Sequence, residues 1–139
     1  MPYAIERDTA DRALIAEALR KAAVVWLWVG QRPGYPVWCE PVGDALFVVT
    51  GPGEQPAPGL TRASTVHVGA RGDHGGLVAT WTATVTRIRP NSDRWQAHAR
   101  ALAGKRLNAT GSIDDVLARW AHECAVLALD LTDGEPQPE

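Results

Sequence analysis

The chain has 139 residues, which suits one domain whose core needs no disulfide or metal staple. Apolar residues make up 45% of it, which excludes disorder for the chain as a whole. A formal net charge of −2 with scattered arginines excludes the basic face that a nucleic-acid binder needs. Cys39 and Cys124 sit far apart in apolar segments, without metal-knuckle spacing. The longest apolar run, 22–29, is too short to span a bilayer. The first residues carry no signal-peptide pattern, so a cytoplasmic protein is expected.

The pattern begins as a helix over Asp8 to Lys21, with Ala10, Leu14 and Ala18 at helical spacing and Asp8 or Thr9 as cap. The period then changes. Ala22 to Val29 is rich in Val and Trp and reads as a strand buried on both faces. Gln31 to Gly34 is a turn, Tyr35 to Glu40 a second strand, and Val42-Gly43-Asp44 a short reversal. Ala45 to Thr50 is a third strand. Three prolines and three glycines make Gly51 to Gly59 an ordered loop. A fourth strand spans Ser64 to Ala70, and a polar reversal follows to Gly76.

Leu77 to Ile88 alternates most cleanly, with Ala79, Trp81, Ala83 and Val85 on one face and four threonines on the other. Pro90 ends it. A helix capped by Asn91 or Ser92 runs to about Ala103, and Ser112 with Asp115 forms a capping box for another. Cys124 to Leu131 is the last strand. Six strands joined by short turns favour an antiparallel sheet closed into a small barrel, since closure removes exposed edges. The domain is expected over residues 1–132, with 133–139 as a flexible acidic, Pro-containing tail.

Strong chemistry is absent from the motifs. His67, His74, His98 and His122 do not share a helix or strand face at ligand spacing. His122-Glu123-Cys124 lacks the further converging ligands of a metal site. Asp73-His74 sits in a Gly-rich turn and reads as solvated. No nucleophile elbow or Walker pattern occurs. The compositional oddity is six tryptophans. Trp26, Trp28, Trp38 and Trp81 read as core plus a dimer seam, or as an aromatic wall for a planar ligand.

Four segments carry a resemblance: Val24-Val-Trp-Leu-Trp-Val-Gly30, Arg32-Pro-Gly-Tyr-Pro-Val-Trp38, Asp44-Ala-Leu-Phe-Val-Val-Thr50 and Thr61-Arg-Ala-Ser-Thr-Val-His-Val68. In this succession, from Asp8 to Arg89, the chain resembles the pyridoxamine 5′-phosphate oxidase-like superfamily of FMN-binding split β-barrels. The resemblance implies a mainly β fold with flanking helices, a six-stranded antiparallel split barrel. It implies a homodimer binding FMN, or in some branches F420 or haem, and a flavin-dependent oxidoreductase of unassigned substrate. It places Val37 and Trp38 against the flavin ring and Thr50 on the phosphate-side threonine. Gln55 falls where the family has its phosphate lysine, and no Lys or Arg occurs between Thr50 and Thr61. Arg62, Lys105 and Arg106 are the nearest candidate cations. A phosphate held without a cation loses charge-assisted hydrogen bonds worth about 1.5–3 kcal/mol each. The alternative is therefore a non-catalytic dimeric binding module that has lost the flavin phosphate site. A haem ligated by His67 is a third, weaker reading.

Overall fold

The computed structural model describes residues 9–71, 77–105 and 112–131. Arg106, the Asp73-His74 pair and the 133–139 tail lie outside the described residues. The order is α1 (Thr9–Lys21), β1 (Val24–Trp28), β2 (Tyr35–Trp38), β3 (Glu40–Val42) and β4 (Ala45–Thr50). A 3-10 turn (Leu60–Arg62), β5 (Thr65–Arg71), β6 (Leu77–Arg87), α2 (Asp93–Gly104), α3 (Ile113–Glu123) and β7 (Ala125–Leu131) follow.

The strands form one antiparallel sheet in the order β2-β1-β5-β6-β7-β4-β3. Its two edge strands are consecutive in sequence, joined only by Cys39. The sheet must therefore curl until its edges meet, which gives a nearly closed barrel with a seam at residue 39. This is the split barrel expected from the sequence, with seven strands among the described residues in place of six. The extra strand arises because Tyr35 to Val42 changes partner midway, pairing with β1 before Cys39 and with β4 after it. Each edge strand carries a proline, Pro36 opposite Trp26 and Pro41 opposite Leu46. Proline donates no ladder bond, so it is tolerated at an edge.

Alternation sorts the side chains into two cores. Leu27, Val68 and Trp81 lie on one rung of β1, β5 and β6 and point into the barrel. Val48 and Leu127 join them from the β4–β7 pair, and Leu19 of α1 plugs the end. The opposite face of β4 and β7 carries Phe47, Val49, Val126 and Ala128 against Leu102 of α2 and Trp120 of α3. The strands buried on both faces are thus β4 and β7 rather than the Trp-rich first strand. In β1, Val25 and Leu27 are buried, while Trp26 and Trp28 face outward, half-buried, and Val24 is 55% exposed.

Local signals seat the helices as the sequence predicts. Ser92 caps α2 by accepting from the Trp95 N–H, and Ser112 with Asp115 completes a capping box on α3. Arg94 then grips Asp130 of β7 through two hydrogen bonds of 3.2 and 2.8 Å, tying α2 to the sheet. No described helix is long and apolar enough to cross a membrane.

Candidate functional site

The seam brings three of the sequence-predicted residues together. β3 pairs with β4 through Glu40↔Phe47, and continuing that register by two residues would set Trp38 opposite Val49. The strands part there, and the Gln55 side chain fills the opening. Its Oε1 accepts from the Trp38 N–H at 2.8 Å. Its Nε2 donates to the Trp38 carbonyl at 3.0 Å and to the Val49 carbonyl at 3.3 Å. A primary amide has the donor and acceptor of a peptide group, so Gln55 replaces the missing rung. Thr50 Oγ1 donates to the Gln55 carbonyl at 2.7 Å, which fixes the backbone that carries the plug.

The rest of the 51–59 loop is pinned to α3. Glu54 has a fully buried side chain (0% exposed) that accepts from Arg119 Nη2 at 3.0 Å and Trp120 Nε1 at 2.9 Å. Arg119 Nη1 also donates to the Pro52 carbonyl at 2.8 Å. Gly51 (φ +139°) lies so close to α3's end that a Cβ there would stand 2.9 Å from Cys124 Cα. On its other side the loop is held by Tyr35, whose hydroxyl donates to the Pro58 carbonyl at 2.8 Å.

Two openings flank this loop. A cleft of about 490 Å3 lies between it and the α3–β7 junction, with Thr50, Pro58, Thr61, Arg87, His122 and Cys124 among its walls. Arg87 is exposed and has no carboxylate partner among the described residues, while Glu123 stands on the same rim. On the other side a groove of about 600 Å3 contains Arg62 together with Arg32.

The remaining predicted residues are dispersed. The Val37 side chain is 2% exposed and belongs to the barrel core, so only its backbone is near the seam. Arg62 lies in the second groove, and Lys105 pairs with Glu40 at 3.1 Å. The four tryptophans do not make one wall. Trp81 points inward, with no hydrogen-bond partner for its indole N–H among the described residues. Trp38 packs toward the helices, and Trp26 and Trp28 share the outer face at 6.5 Å. There His67 sits opposite Trp28, its Nδ1 3.4 Å from Thr82 Oγ1.

Both thiols are shifted away from reactivity. Burial, aided by the Glu40 carboxylate, pushes Cys39 up to about 12. Burial also raises Cys124, against the opposing pull of Arg119. No group of three or more metal-ligating side chains occurs among the described residues. Sequence reasoning missed Glu54 and Arg119, which lie 65 residues apart, and Arg87, which ends a strand with no motif around it.

The residues present do not fit a phosphomonoester at the positions the resemblance assigns. Both backbone groups of Trp38 are taken by Gln55, the Thr50 hydroxyl is engaged, and the loop offers no cation. We derive no chemical step through a flavin there.

No known family profile matches the chain. No curated protein matches it either. Solved structures do. HutZ, the heme storage protein from Vibrio cholerae, superposes with a TM-score of 0.58 at 17% identity, covering 89% of this chain and 92% of that one. The FAD and heme binding protein from Mycobacterium smegmatis gives 0.57 at 19% identity, over 95% of this chain and 75% of that one. An FAD-binding protein from Mesorhizobium loti gives 0.52 at 13%, over 84% and 86%. At these identities the likeness shows the split-barrel fold.

Proposed function

We propose that this chain is a split-barrel domain that binds a flavin-class cofactor, FMN or F420, in the cleft of Thr61, Arg87 and Cys124. The observation that carries the reading is Arg87, a cation without an ion partner among the described residues, on a cleft walled by Pro58 and Cys124 beside the seam. A cleft with Pro and Ala on its walls, threonine hydroxyls and one guanidinium donor suits a ring bearing an anionic tail. Solved neighbours described as FAD-binding support the ligand class. A bound flavin would supply redox chemistry, which makes the protein an oxidoreductase of unassigned substrate. Thr61 and Arg87 would bind and orient. We also take the protein to be a cytoplasmic homodimer, its outward Trp26 and Trp28 forming the seam between copies.

A second reading has its own support. Gln55 satisfies the strand backbone internally, as expected of a dimeric binding module that has given up the flavin phosphate site. One experiment separates the two. Purified protein is examined for a visible chromophore and solution mass, then titrated with FMN and F420 while Trp fluorescence is followed. The flavin reading requires binding that weakens about tenfold or more in Arg87→Gln, the loss of one charge-assisted contact. No chromophore and no quenching by either flavin would leave the binding-module reading.

A further inference from the structure

The second groove has a composition at odds with the rest of the chain. The protein carries 16 acidic and 14 basic residues, yet this groove of about 600 Å3 has two arginines in its lining and no carboxylate. Gln31, Ser64 and Thr65 supply further polar groups. Neither Arg32 nor Arg62 has a carboxylate partner among the described residues.

Both arginines stand on hydrogen-bonded turns. Arg32 closes a turn by donating its N–H to the carbonyl of Val29, which is 7% exposed and part of the barrel core. Arg62 ends a 3-10 turn whose first residue, Leu60, is 0% exposed. The Arg32 side chain lies over Gly59. A Cβ at that position would stand 2.7 Å from Arg32 Nε, and φ there is +80°. Glycine therefore does two things at residue 59. It permits the backbone conformation, and it leaves the space in which the guanidinium stem lies.

We propose that the Arg32–Arg62 groove is a binding site for a phosphorylated small molecule. Guanidinium groups present planar forks of N–H donors that match phosphate oxygens, and two of them neutralise a dianion. The groove is larger than one phosphate and lies in the range of small-ligand sites, so an organic moiety can sit beyond the anion. With no carboxylate in its lining, the groove leaves both guanidinium groups to an incoming anion. The inference does not rest on the proposed flavin cleft, because it uses neither Arg87 nor the seam; Arg62, which the resemblance offered as a flavin-phosphate cation, lines this groove instead.

The test is a two-dimensional 1H–15N titration of the full chain, including the arginine Nε–Hε signals. Inorganic phosphate, ribose 5-phosphate and uncharged ribose are the probes. Saturable shifts are expected for residues 30–32 and 62–65 with the two phosphates and not with ribose. Affinity should fall about tenfold or more in Arg32→Gln and in Arg62→Gln, and stay unchanged in Arg89→Gln, an exposed arginine that lines neither opening. Arg32→Lys and Arg62→Lys keep the charge without the fork and should bind with intermediate affinity. They carry the test should a Gln variant fail to fold. Absence of saturable shifts, shifts indifferent to both arginine positions, or equal shifts with ribose would overturn the proposal. Phosphate binding with no FMN or F420 binding would retain this site and remove the flavin reading alone.

Discussion

Replacing Gln55 with leucine removes the amide that spans the seam while keeping a side chain of similar size. Three hydrogen bonds disappear, at 2.8, 3.0 and 3.3 Å, and the Trp38 N–H and carbonyl lose their partners. Each bond contributes about 1 kcal/mol net, and an orphaned buried group costs about 1–3 kcal/mol. The site is only half-buried, so water can recover part of this, and the expected loss is about 2–3 kcal/mol in urea unfolding. Hydrogen exchange should locate it, with protection at the Trp38 amide falling more than protection in the β5–β6 ladder. Gln55→Glu adds a sign test. An ionised carboxylate can accept from Trp38 N–H but cannot donate to the two carbonyls, so its protonated form is favoured in the folded state. Its folded pKa is raised, so the variant is closest to wild type at low pH and loses stability as pH rises through that pKa. A Gln55→Leu loss below about 0.5 kcal/mol, within the range of ordinary surface substitutions, would refute the claim that Gln55 replaces a ladder rung.

Other expectations follow from the same geometry. Glu54→Ala removes the carboxylate that Arg119 and the Trp120 indole share and should cost about 2–4 kcal/mol, with the Pro52 carbonyl and partial solvent access at Arg119 favouring the lower half. A double-mutant cycle with Arg119→Ala should give a coupling of about 1 kcal/mol or more, and strict additivity would count against the pair. Burial pushes the Cys39 thiol up to about 12, so at pH 8 it should resist alkylation until denaturant is added. Its folded pKa lies above the ordinary 9.0, so its contribution to stability is complete below pH 9 and drains away from there toward 12. That decline should be shallower in Cys39→Ala. Gly51→Ala meets both a left-handed backbone and Cys124 Cα at 2.9 Å, and should cost about 1–3 kcal/mol by thermal unfolding.

The alternation of residues 77–88, the caps at Ser92 and Ser112 and the Pro/Gly content of 51–59 are local signals. They were sufficient for the strands, the helices and the ordered loop, because period and capping depend on near neighbours. The sequence by itself also determined that the loop after Thr50 has no cation. Tertiary structure alone decided what fills its place. Gln55 meets Trp38 because the β3–β4 hairpin brings Val49 toward Trp38 and the loop after Thr50 folds back into the gap, and no motif in the chain records that encounter. The Trp-rich first strand read as buried on both faces because hydrophobicity reports a preference for burial and not its location. The helices instead cover β4 and β7, and two tryptophans remain on the outside. Arg32 and Arg62 share a groove for the same reason: three strands separate them in the chain, and the fold returns Gly59 to the Arg32 side chain without any motif that records it.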